Sequence, residues 1–342
     1  MNRRFILASF MLLLAGLVAC RKEWEEVFTG FRKPAHFPEP VYRITDNPVT
    51  REKFELGRKL FYDAALSANN TISCGTCHIP TSAFTHHGHS VSHGFNDQLG
   101  TRNSPPIMNL AWSTSFMWDG GIFDLDLQPV APITNHVEMN ETMDNVLNKL
   151  RNDPAYPGLF QKAYGSTEIN STRFLKALSQ FMIMCISDQS KYDSVKRGQA
   201  SFSQIEQAGY QVFQSKCGAC HAEPLFTDNS FRSNGLAPSM INDLGRYPVT
   251  LNPADKYTFK VPSLRNLRFT APYMHDGRLL TIESVLDHYA SGIRNMENLD
   301  PLLNTGTSPG IVLSSAERQQ LLAFLETLND LTFVKNPLLA EQ

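Results

Sequence analysis

The chain has 342 residues, 42% of them apolar and 19% charged, with a formal net charge of −2. That length suggests two domains, each able to bury its own core, and the composition excludes both a disordered chain and a multi-span membrane protein. No run of Lys and Arg stands out, which argues against nucleic acid as a partner.

The chain opens as an export signal. Arg3 and Arg4 precede an almost unbroken apolar run, Phe5 to Ala19, too short to span a bilayer, which takes about 20 apolar residues. Residues 1–19 end in Leu17-Val18-Ala19 before Cys20, which resembles the lipobox of bacterial lipoproteins, where the signal is cut before a lipidated Cys. A plain secretory signal is the alternative, and either one exports the chain. Arg21 follows instead of Asp, so the expected place is the periplasm, on the outer membrane, held by a lipid anchor alone.

Gly57-Arg58-Lys59-Leu60-Phe61 reads as the end of a helix leading into Cys74-Gly75-Thr76-Cys77-His78. Residues 79–140 have no period and many Gly, Pro, Asn and Ser. A helix follows on the stripe Met143, Val146, Leu147 and Leu150. Another lies in Thr172–Ser187, where Phe174, Leu175, Leu178, Phe181, Met182 and Cys185 share one face, making Cys185 a buried, inert thiol. The polar stretch Asp188–Ala200 marks the boundary between domains 20–195 and 196–342.

The second half repeats the first. Ser203, with Glu206 three residues on, caps a helix. It carries Gly209-Tyr210-Gln211-Val212-Phe213 and leads into Cys217-Gly218-Ala219-Cys220-His221. Phe84-Thr85 and Phe226-Thr227 then recur at nearly equal offsets. Residues 222–280 form a second long loop, with Tyr257–Val261 the best strand candidate. Ile282, Val285, Leu286 and Tyr289 share one helix face, and a Ser314–Glu317 cap opens a helix with Leu321, Leu325 and Leu328.

Cys74, Cys77, Cys217 and Cys220 lie in two C-x-x-C-H pentads, the attachment signature of c-type haem. The thiols add to the porphyrin vinyl groups, which places His78 or His221 under the ring to ligate iron. A zinc site would bring its second pair within about 20 residues, a thioredoxin-like pair needs a βαβ context, and disulfides leave each adjacent His unexplained. Two covalent haems follow. The expected fold is all-α: two cytochrome c-like domains with long haem-wrapping loops and little strand.

Further segments carry a family resemblance. Thr101-Arg102-Asn103-Ser104-Pro105-Pro106, Met117-Trp118-Asp119-Gly120-Gly121, Val137-Glu138-Met139, Phe259–Asn266 and Ala271–Arg278 resemble the motifs of bacterial di-haem cytochrome c peroxidases and their MauG-like relatives. The resemblance spans about residues 50–330 and implies roles residue by residue. His78 would hold the peroxide-reacting haem, with Glu138 over its distal face as proton shuttle and Gln128 as hydrogen-bond donor. His221 would hold the haem that receives electrons, and Trp118 would relay them. Asn103 and the carbonyls of Thr270 and Pro272 match the calcium positions at the domain junction, where oxygen ligands suit that hard cation. His93 is the best match for a displaceable ligand of the first haem, against the plainer reading of an exposed histidine cluster.

Counting 14 residues from His275 lands on Tyr289, where the MauG-like branch carries the distal ligand of its second haem. Met274 and Met296 are rivals, and a core tyrosine is the alternative. The expected activity is reduction of hydrogen peroxide with electrons from a small cytochrome c or a similar donor. A MauG-like oxidase acting on a partner protein and a non-enzymatic electron carrier are the competing readings, and each is compatible with a homodimer.

Overall fold

A computed structural model describes residues 28–304 and 308–342. The expected signal segment and Cys20 lie outside the described residues. The fold is mostly helical, as expected. Its only sheet among those residues is one short antiparallel pair, β1 (Phe231–Arg232) and β2 (Phe259–Lys260).

Eight main helices occur in chain order: α1 (Arg51–Tyr62), α2 (Met143–Asn152), α3 (Ala155–Tyr164), α4 (Ser171–Ile183), α5 (Lys191–Lys196), α6 (Gln204–Lys216), α7 (Ile282–Asp287) and α8 (Ser315–Glu326). Polar caps start the long ones. Thr50, Asn170, Ser203 and Ser314 each accept a hydrogen bond from the backbone N–H three residues on, satisfying a donor the helix itself cannot.

Two crossed pairs, α1 with α4 and α6 with α8, form the centres of the halves. A glycine permits each crossing. A Cβ on Gly57 would lie 1.9 Å from the Ala177 carbonyl oxygen, and one on Gly209 would lie 1.8 Å from that of Gln320. Four residues beyond each glycine, Phe61 packs on Phe181 (ring centroids 4.7 Å apart) and Phe213 on Phe324 (5.1 Å).

The long loops repeat as well. Asn109 and Asn266 each take a left-handed turn before a short 3-10 segment, Leu110–Trp112 or Leu267–Phe269. Eight residues on, Met117 (φ 68°) and Met274 (φ 73°) open Met117-Trp118-Asp119-Gly120 and Met274-His275-Asp276-Gly277. Each segment is closed by a 2.7 Å backbone bond, Phe116 to Ile122 and Tyr273 to Leu279. Trp118 and His275 thus occupy equivalent places.

Three features differ from the sequence expectations. The polar stretch at 188–200 contains α5, whose Tyr192 and Asp193 are buried. Asp193 is held by both arms of the Arg265 guanidinium (2.8 and 2.9 Å) and by His36 (2.8 Å), so the stretch knots the halves together. The helix from Ile282 stops at Asp287 and continues as a π-turn over His288–Gly292. Finally, Phe333, Val334 and Leu339 belong to the first core, which therefore draws residues from both sides of position 195. Cys185 is fully buried, just beyond α4.

Candidate active site

The first site begins where α1 ends. Cys74–Cys77 is one helical turn, and His78 follows it. The Nδ1 of His78 bonds the Phe84 carbonyl at 2.7 Å. That bond fixes the tautomer and leaves Nε2 as the ligating nitrogen. Burial lowers the pKa of His78, favouring the neutral form that binds metals. Phe84 holds its carbonyl there with φ of 61°, a strained backbone for a bulky side chain.

Cys74, Cys77 and His78 open on a cleft of about 630 Å³, walled by Phe61, Ile107, Leu178 and Met182. Its polar members include Glu138 and Gln128. Burial raises the pKa of Glu138, opposed by a 2.9 Å hydrogen bond from the Asn135 amide. Asn135 went unnoticed in the sequence, though it stands only three residues before Glu138. The Gln128 amide points toward the Met117 sulfur at 3.8 Å. Neither His93 nor Trp118 lines this cleft. Ser92 and Gly94 do, while the His93 ring lies outward, 3.0 Å from Asp97 and stacked edge-on with His89.

The second site follows α6. His221 Nδ1 lies 3.2 Å from the Phe226 carbonyl and 3.1 Å from that of Pro262, and burial again lowers its pKa. Phe226 repeats the left-handed backbone of Phe84, with φ of 57°. Tyr289 arrives from the π-turn with its hydroxyl buried and bonded to Asn234, close enough to Cys217 and Cys220 to feel their charge, and burial pushes its pKa up to about 12. Asn234 also reaches the Met274 sulfur at 3.6 Å, and its carbonyl lies 3.1 Å from the His288 ring. Met296 closes a separate turn, its carbonyl bonded by Leu299 N–H. Sequence reasoning missed Asn234, which sits in an aperiodic loop without a motif.

Between the sites, Asn103 joins the equivalent residues of the repeat. Its carbonyl accepts from Trp118 Nε1 (2.8 Å), and its N–H donates to the His275 carbonyl (2.7 Å). Its side-chain amide meets the carbonyls of His89 and Ser90. Arg102 forks onto Asp243 (2.6 and 2.9 Å) and reaches Asp119 (2.6 Å). Thr270 is buried and precedes Ala271 and Pro272 in the same junction loop.

No disulfide joins the four pentad cysteines, and burial pushes Cys74 and Cys217 up to about 12. A thiol so raised is not a poised redox nucleophile. No cluster of three His, Cys, Asp or Glu side chains suited to a bare metal ion occurs among the described residues. Two thiols beside an oriented imidazole, facing an apolar cleft, fit a covalently held tetrapyrrole instead.

A helical fold with such a turn in each half defines a di-haem c-type cytochrome. The profile described as "Di-haem cytochrome c peroxidase" matches residues 51–201. The chain is 40% identical over 305 residues to the methylamine utilization protein MauG of Methylorubrum extorquens, covering 87% of this chain and 83% of that one. It is 34% identical over 254 residues to the cytochrome c551 peroxidase of Nitrosomonas europaea, covering 73% and 75%. Among solved structures, a MauG-like protein associated with microbial copper homeostasis superposes with a TM-score of 0.80 at 31% identity, covering 92% of this chain and 99% of that one. The chain belongs to the di-haem cytochrome c peroxidase family, and its cofactors are two haems c.

Proposed function

We propose that the protein reduces hydrogen peroxide to two waters in the cleft above His78, taking two electrons from a small cytochrome c or a similar donor and two protons from solvent. The observation that carries this reading is the presence of Glu138 and Gln128 in the same cleft as Cys74, Cys77 and His78. When held by Cys74, Cys77 and His78, the haem would supply the iron centre and the redox chemistry, with the electrons coming from the donor. Glu138 takes the proton from the near peroxide oxygen and returns it to the far one, so that the far oxygen leaves as water. Help of this kind is worth about 10²–10⁴ in rate. Asn135 keeps one carboxylate oxygen oriented, and Gln128 would donate a hydrogen bond to the peroxide substrate. Trp118 relays electrons between the halves, and His221 holds the receiving haem.

With the His93 ring outside the cleft, the first site needs no ligand displacement before peroxide enters. Stopped-flow spectra of the protein mixed with peroxide test this. Reaction of the fully oxidised protein is expected, and reaction only after pre-reduction would return His93 to the role of displaceable ligand.

A second reading rests on Tyr289. Tyr289 would hold the iron of the second haem as a phenolate, which would favour the ferric state, unlike a thioether, and suit oxidation of a partner protein's side chain. The long-wavelength methionine-to-ferric charge-transfer band should be absent. Its presence, surviving in Tyr289→Phe, would assign the ligand to Met274 or Met296. Calcium at Asn103, Thr270 and Pro272, export to the periplasm and lipidation of Cys20 complete the proposal. Chelation should lower turnover without removing haem, and Cys20→Ser should release the chain from membranes. Among the described residues no helix is long and apolar enough to cross a membrane.

A further inference from the structure

Lys260 stands out among the buried and half-buried cations. Arg265 is paired with Asp193, Arg102 with Asp119 and Asp243, and Arg232 with Asp228 and Asp300. Lys260 is half-buried as a residue, with its amine drawn away from solvent, yet its side-chain hydrogen bond goes to a neutral group, the Ser115 carbonyl at 2.8 Å. No carboxylate of the described residues lies within ion-pair distance of it. Asp119 is the one acid whose charge it feels, and Asp119 is engaged by Arg102 (2.6 Å) and by the Gly121 N–H (2.9 Å). Burial accordingly pushes the amine down to about 8. A buried ammonium without a counter-charge is costly, so the site calls for an anion.

There is room for one. Lys260 lines an open cavity between the halves, with Trp118, Thr227, Asn229 and Pro262 in its wall. Asn229 adds an amide that makes no side-chain hydrogen bond within the described residues. The backbone ties the cavity to the second site. The Lys260 N–H is bonded to the Trp118 carbonyl at 2.8 Å, and two residues on, the Pro262 carbonyl orients His221.

We propose that this cavity is a carboxylate-binding site, with Lys260 as its cation, and that its occupant is a propionate of the haem attached at Cys217 and Cys220. The proposal rests on the haem assignment above. Thioethers form on the vinyl edge of the ring, and the propionates project from the opposite edge. A propionate is therefore a carboxylate delivered at fixed distance from His221, whereas a free acid would have to reach the junction from solvent. The ammonium, so paired, also places positive charge beside the haem that receives electrons, which favours its ferrous state.

The test uses the holoprotein. Pyridine haemochrome analysis should give two haems in wild type, Lys260→Gln and Lys260→Arg. Fewer than two in wild type would sink the haem assignment itself. With two present, spectroelectrochemistry of Lys260→Gln should show one haem midpoint lowered by about a tenfold change in the ferrous-to-ferric ratio, about 59 mV for one electron, and Lys260→Arg should restore most of it. Midpoints equal to wild type in Lys260→Gln would overturn the proposal. Should Lys260→Gln fail to fold, wild type alone decides. Its resonance Raman propionate bending modes should shift on transfer to D₂O, and unmoved modes would count against the pairing. Acetate titrated into dialysed wild type should leave the midpoints unchanged. A saturable shift would mean that the cavity takes a free carboxylate, and the propionate assignment would fall.

Discussion

In the first half, one carbonyl, at Phe84, holds His78 over a cleft that also carries Glu138 and Gln128. In the second, His221 has two carbonyls, at Phe226 and Pro262, and near its cysteines stand the Tyr289 phenol, bonded to Asn234, and the ion-paired Asp228, Arg232 and Asp300. The helix crossings, left-handed loop residues and motif geometry are nearly the same in both. What repeats is what the backbone demands: Gly57 and Gly209 at the crossings, Phe84 and Phe226 at the histidine tethers, Met117 and Met274 before the Asp-Gly turns. What differs is the side chain set into that frame, Trp118 in one copy and His275 in the other. In the first half the acid beside the pentad, Glu138, lines the cleft itself, whereas in the second Asp228 and Asp300 stand near Cys220 and are paired with Arg232.

The largest effect expected from this contrast is on turnover. Glu138→Gln should keep both haems and lose about 10²–10⁴ in peroxide turnover, with the spectrum of the second haem unchanged. Turnover within about threefold of wild type would remove the functional distinction between the halves. Next comes the knot that joins them. Arg265→Ala leaves Asp193 buried with only His36 and Ser190 as polar partners, and should cost about 3–5 kcal/mol, read as a lowered denaturation midpoint. Burial alone would raise the Asp193 carboxyl, but Arg265, Ser190 and His36 outweigh it and hold it down to about 2. A depressed carboxyl stabilises the fold above its unfolded pKa of about 3.9. Wild type should therefore lose this contribution as pH falls from about 4 toward about 2, and Arg265→Ala should lack that transition.

The shared frame is tested by Gly57→Ala and Gly209→Ala. Each forces a methyl against a carbonyl, and each should cost about 1–3 kcal/mol. A large cost at one and none at the other would show that the two crossings are not equivalent. The smallest effect is at Asn135. Removing its amide takes away the bond that opposes the raised pKa of Glu138, so Asn135→Ala should move the acidic limb of the turnover profile to higher pH. An unmoved limb would mean that Glu138 does not set it.

Much of this was legible because it is local. The pentads are contiguous, and the caps at Ser203 and Ser314 span three residues. Tyr289 was singled out by its spacing of 14 residues from His275 together with helical phase, yet it faces inward through a π-turn that a fixed 3.6-residue period does not describe. Asp193 with Arg265, and Lys260 with its cavity, join segments far apart in sequence, and nothing near either residue announces its partner. The stretch 188–200 looked like a linker because its residues are polar, although in the fold its Asp is buried and paired.

The return of residues 333–339 to the first core has a consequence for how a chain like this one is made. Phe333 packs on Phe84 with ring centroids 5.8 Å apart, and the Leu339 carbonyl accepts from the Tyr62 hydroxyl at 2.6 Å. Phe84 is the residue whose carbonyl aims His78. By the time a ribosome has added Phe333 it has already made nearly all of the second half, so the histidine of the first pentad is among the last to be braced. A message cut short near position 330 would yield both attachment pentads and both helix crossings, yet a first site whose Phe84 and Tyr62 lack their C-terminal support.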